Sequence, residues 1–144
     1  MKWLRKTLAT ALVVVIISIA LEFAVNGVPL FGIPKAENVT AITVTHPRWP
    51  ENAKRFDDEK SIDLACKLPN FLRWSPWRSL QKQVSGAFII TYELADGGII
   101  TLSADEKTVQ WRGKNRALAD DNTFVNLTEG IFFLDDIMDA EMNP

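Results

Sequence analysis

The sequence reads as an α+β domain: an antiparallel sheet of about four strands, in the order strand–helix–strand–strand–strand–helix, with one helix packed on the sheet and an N-terminal transmembrane helix in front. Three features carry that prediction. Residues Thr7 to Val25 form a largely apolar stretch whose only charge is Glu22, residues 86–105 alternate about an Asp96-Gly97-Gly98 turn, and residues 57–68 repeat apolar positions at helical spacing. A chain of 144 residues holds one ordinary domain plus an anchor. It divides into an anchor at 1–25, a tether at 26–36 and an α+β domain at 37–144.

The apolar run of nineteen residues would span ~28 Å as a helix, close to the hydrocarbon thickness of a bilayer. Lys2, Arg5 and Lys6 precede it and no basic residue follows before Lys35. That asymmetry keeps the N-terminus cytoplasmic and places the rest outside. Trp3 suits the interfacial belt, and Glu22 lies within a turn of the far end, where a carboxylate reaches headgroups at modest cost. The expectation is a single-pass cell-membrane protein anchored through residues 7–25, with an extracellular C-terminal domain. The alternative is secretion after signal cleavage, although Val25-Asn26-Gly27 matches the small-residue cleavage pattern poorly. Beyond it, Asn26 to Ala36 holds two prolines and two glycines, so it reads as extended tether whose Leu30, Phe31 and Ile33 can lie against the domain or the membrane.

Glu37 to His46 is rich in Val, Ile and Thr and reads as a strand ended by Pro47 and Pro50. Asp57 to Leu68 reads as a one-sided surface helix, capped by Asp57 or Asp58 and stopped by Pro69, with Ile62, Ala65 and Cys66 on its apolar stripe. Next comes the hairpin. Its alternation favours a register pairing Leu94 with Ile100, Tyr92 with Leu102 and Ile90 with Ala104, with Gly98 at positive φ. A turn at Asp105-Glu106-Lys107 leads to a strand at Thr108–Arg112, with Val109 and Trp111 facing inward. Gly113–Asp121 reads as irregular and Thr123–Leu127 as a short edge strand. Gly130 to Met142 reads as a helix capped by Asn126 or Thr128.

Composition excludes several chemistries. Beyond the anchor the chain carries 13 basic and 17 acidic residues, a balance unsuited to bulk nucleic-acid binding. One cysteine, Cys66, allows no internal disulfide or thiolate cluster, and with His46 as the single histidine the usual zinc sets are unavailable. No metal or cofactor is expected. Gly97-Gly98 joins two strands, whereas a phosphate loop opens a helix. The acid pairs Asp57-Asp58, Asp120-Asp121 and Asp135-Asp136 read as caps and solvated faces rather than opposed catalytic carboxylates, and His46 as an exposed strand-end residue.

What stands out is tryptophan beside arginine. Arg48-Trp49, Arg73-Trp74, Trp77-Arg78 and Trp111-Arg112 account for every Trp after Trp3. Arg forks onto oxyanions and stacks on indole, so Arg48, Trp49, Arg73, Trp74, Trp77 and Arg78 are the candidate binding residues, for a protein partner, an anionic ligand or lipid headgroups. The competing reading is a loop pinned by buried Trp with Arg stems packed beside it.

Gly32-Ile-Pro-Lys35 leading into Val39-Thr-Ala-Ile-Thr-Val44, Ile90-Thr-Tyr-Glu-Leu-Ala-Asp-Gly97, Val109-Gln-Trp-Arg-Gly-Lys114, and Phe124-Val-Asn-Leu127 with Gly130-Ile-Phe-Phe133 together resemble small uncharacterised extracytoplasmic domains of Gram-positive bacteria (Firmicutes) that follow a signal anchor. That resemblance, over roughly residues 32–133, implies a sensing or binding role and supplies no catalytic residues. The expected function is a membrane-tethered, non-catalytic extracytoplasmic binding or sensing domain. The alternatives are a small envelope hydrolase using His46 with a carboxylate, and an inhibitor or self-protection protein.

Overall fold

The computed structural model describes residues 2–80, 86–119 and 122–142. Helix α1 (Lys2–Asn26) is long and apolar enough to cross a membrane or to serve as a signal sequence, and none of it is buried against the domain. Gly27, at φ +78°, ends it by donating its N–H to the Phe23 carbonyl at 3.1 Å.

The domain is mixed α+β with an antiparallel sheet, as expected, but the sheet has six strands rather than about four and a second, two-stranded sheet adjoins it. In chain order the strands are β1 (Val28–Pro29), β2 (Val39–His46), β3 (Trp49–Phe56), β4 (Arg73–Trp74), β5 (Phe88–Leu94), β6 (Ile99–Ala104), β7 (Thr108–Trp111) and β8 (Lys114–Ala117). The large sheet runs β3-β2-β5-β6-β7-β8, and β1 pairs with β4. The two strands of the large sheet absent from the sequence reading, β3 and β8, are its edges, and β1 and β4 of the small sheet were not expected either. Both edges mix polar with apolar residues, WPENAKRF and KNRA; backbone pairing holds them, with Phe56 packed against the core and Ala117 buried. Charge and proline on an edge also discourage further strand addition, at the expense of the apolar alternation by which strands are recognised.

Ile42, Val44, Ile90, Tyr92 and Leu102 share the core face, each 0% exposed. The hairpin register differs from expectation by two residues: Tyr92 pairs with Ile100 and Ile90 with Leu102. Ala95-Asp96-Gly97 forms the loop, and Gly97 (φ +85°), not Gly98, takes the positive φ. Asp96 Oδ1 accepts the Gly98 N–H at 2.8 Å, an Asx turn that fixes this shorter loop. A slip of two preserves the side of every residue, so the apolar face is the one the alternation implied. Val109 and Trp111 do face inward, at 1% and 2% exposure.

Helix α2 (Glu59–Lys67) forms where expected, its N-cap Asp58 accepting the Ser61 N–H at 2.9 Å, a bond that holds the Asp58 carboxyl below its usual range. Ile62 and Ala65 point into the core, and the Tyr92 hydroxyl donates to the Ala65 carbonyl at 2.8 Å, tying α2 to the middle of the sheet. Cys66 packs beside them; burial pushes its thiol up to about 11, the Asp63 carboxylate adding to the effect.

The C-terminal region corrects the sequence reading. Thr123–Leu127 is not an edge strand: α3 (Thr123–Phe132) buries Phe124, Thr128 and Phe132, four residues apart on one face. A short apolar run suits either period, and packing decides between them. The helix expected at Gly130–Met142 is divided at Phe133 (φ −131°, ψ 12°), and α4 (Leu134–Met142) follows. Neither Asn126 nor Thr128 caps a helix: both lie within α3, the residue preceding it is Asn122, and Thr128 Oγ1 donates to the Phe124 carbonyl at 2.7 Å. Lys54 of β3 secures the junction, donating to the Phe132 carbonyl at 3.2 Å and pairing with Asp136.

Candidate functional site

His46 is the last residue of β2, and the structure overturns the expectation that it is exposed. It is 0% exposed, enclosed by the rings of Trp49 (centroids 4.4 Å apart), Phe88 (4.8 Å) and Phe133 (4.9 Å). Pro47 and Arg48 turn the chain into β3, so the Arg48 backbone N–H points back at His46 Nδ1 at 3.0 Å. An N–H donor requires Nδ1 to be unprotonated, which puts the ring proton on Nε2. Nε2 lies 3.2 Å from Glu129 Oε1, and this carboxylate, on α3, is 29% exposed. Burial thus leaves neither ring nitrogen unpartnered.

The pair opens onto a cavity of ≈ 350 Å³ whose walls also include Arg48, Phe88, Asp105, Glu106, Lys107 and Val125. That volume falls within the range of small-ligand sites, roughly 300–1,000 Å³. Asp105 sits in the β6–β7 turn, where its Oδ1 accepts the Lys107 and Thr108 N–H groups at 2.7 and 2.6 Å. Among the described residues its Oδ2 is buried without a hydrogen-bond partner. Buried polar atoms are nearly always paired, so this oxygen is an acceptor left over after the turn is built. The walls therefore combine two acids of low exposure, Asp105 and Glu129, with exposed Arg48, Glu106 and Lys107. Among the described residues no group of three His, Cys, Asp or Glu is arranged to hold a metal ion.

The six candidates from the sequence separate into two places. Arg48 lines the cavity while Trp49 packs on the back of His46. The other four lie where the chain leaves α1. Arg73 and Trp74 form β4, pairing with Pro29 and Val28, and an Arg73 guanidinium N–H reaches the Gly27 carbonyl at 3.3 Å. Arg116 stacks on Trp74 with its guanidinium carbon 4.7 Å from the ring centroid. Arg78 donates to the Leu118 carbonyl at 3.1 Å, and Trp77 beside it is 75% exposed. Trp111 and Arg112 hold the segment after α1, donating to the Phe31 and Gly32 carbonyls at 2.8 Å each. Several Trp and Arg side chains are thus fixtures of the fold, as the pinned-loop reading had it, whereas Arg48, Trp77 and Arg78 remain exposed.

Glu129, Asp105 and Lys107 were not among the candidates. Glu129 is 83 residues from His46, and only an expected carboxylate partner for His46 hinted at it. Set against known proteins, the chain matches no family model, no curated protein and no solved structure.

Proposed function

We propose that this chain is a membrane-tethered extracytoplasmic binding or sensing domain, non-catalytic, anchored by α1 with its N-terminus cytoplasmic, and that its ligand occupies the His46–Glu129 cavity. The observation that carries the reading is Asp105 Oδ2, which among the described residues has no partner, on the wall of a cavity that also holds Glu129. Two acids of low exposure favour an ammonium, while exposed Arg48 and Lys107 favour an anionic group on the same molecule. The ligand class is a small amphoteric amine. His46 serves the site by holding the Glu129 carboxylate in place, since its own nitrogens are already engaged.

The test is a thermal-shift and calorimetric screen of the full chain in detergent against free amino acids and ethanolamine. Binding is expected for at least one amino acid, weaker for ethanolamine, and lost in Asp105→Asn and Glu129→Gln. No response to any of these amines would remove the reading. A second reading, hydrolysis by His46 with Glu129, is favoured by their 3.2 Å contact beside a cavity. It requires turnover of an ester or amide that Glu129→Gln abolishes, whereas a binding site shows none.

A further inference from the structure

The face around the exit of α1 carries a feature that the cavity does not explain. Its backbone is bonded to the domain at once: Gly27 and Val28–Pro29 to β4, then the Phe31 and Gly32 carbonyls to Trp111 and Arg112. A Cβ on Gly27 would come within 2.7 Å of the Ala119 Cβ, so the turn leaving α1 is pressed against the domain. Such a junction provides no slack chain on which the domain could swing away.

Four arginines gather here. Arg73 and Arg112 bond the exiting strand, Arg78 bonds Leu118, and Arg116 stacks on Trp74, which bridges to Leu118. Among the described residues none of the four forms an ion pair. Each carbonyl bond uses one N–H of a guanidinium that has five, leaving donors for oxyanions. Beside them Trp77 and Phe31 are 75% and 67% exposed, although the domain has a core able to bury aromatics. Basic forks together with exposed aromatics next to a membrane-spanning helix match the interfacial zone of an anionic bilayer, where indole sits at headgroup level and guanidinium forks onto phosphate oxyanions.

We propose that this face, Phe31, Arg73, Trp77, Arg78, Arg112 and Arg116, rests on anionic phospholipid headgroups and orients the domain on the membrane. The inference depends on α1 being a retained anchor and is independent of what the cavity binds. The test places the full chain in nanodiscs of phosphatidylcholine, with or without phosphatidylglycerol, made with brominated acyl chains. Subtracting the emission of Trp77→Phe isolates Trp77 from the other four tryptophans. Its exposure makes that variant a foldable control, checked by circular dichroism.

Loss of Trp77 emission in the phosphatidylglycerol discs alone, reversed by added salt and by Arg78→Gln with Arg116→Gln, is the expected result. Equal quenching in both discs overturns the anionic-lipid reading. Emission unquenched in both overturns docking and leaves the face to a protein partner. Failure of the chain to enter the discs instead sinks the anchor, a result that disc co-elution distinguishes from the other three.

Discussion

Arg48-Trp49 and Trp77-Arg78 are the same two residue types side by side, yet they end in opposite situations. At the cavity, Trp49 packs 4.4 Å from the buried His46 ring and is half-buried, while Arg48 is exposed. At the exit of α1, Trp77 and Arg78 both face outward. A composition motif therefore carries no fixed role. What decides is whether the neighbouring backbone runs into a buried polar centre or along the surface.

The comparison can be broken most sharply at His46. His46→Ala removes a fully buried ring from beneath Trp49, Phe88 and Phe133 and strands Glu129 and the Arg48 N–H; we expect a loss of about 3 kcal/mol in urea unfolding. A loss below about 1 kcal/mol would mean that the cavity end is not held by this residue. At the other region the equivalent fixture is backbone. Gly27→Ala forces a Cβ into Ala119 at φ +78°, at a cost of about 1–2 kcal/mol, read as faster amide exchange in β1 and β4 with the cavity end unchanged. The smallest effect sharpens the contrast: Trp77→Ala should leave stability within about 0.5 kcal/mol of the parent, since its ring is 75% exposed. A larger loss would mean that Trp77, like Trp49, is part of the fold.

Legibility varied with the source of each element's stability. Helix α2 was read correctly because its cap and apolar stripe lie within a dozen residues. The hairpin face followed from alternation, but its register depended on Asp96 bonding Gly98, a turn detail that shifts pairs by two without changing faces. Strands β3 and β8 were invisible because an edge strand lacks apolar alternation and takes its place from its neighbour's unpaired backbone and from contacts with distant residues. The α3 segment was ambiguous until Phe124, Thr128 and Phe132 met the core. The cavity was the least legible of all, since His46, Asp105 and Glu129 come from β2, the β6–β7 turn and α3.

By itself the sequence determined the apolar helix at the N-terminus, the α+β class and the inward face of the central strands, because each arises from the spacing of side chains close together along the chain. Only the tertiary structure decided that His46 would be buried against Glu129, that Asp105 would keep an oxygen without a partner among the described residues, and that the segment after α1 would be stitched to β4 and Arg112. Those outcomes join residues tens of positions apart, and such pairs are chosen by how the sheet closes and which buried groups remain to be satisfied.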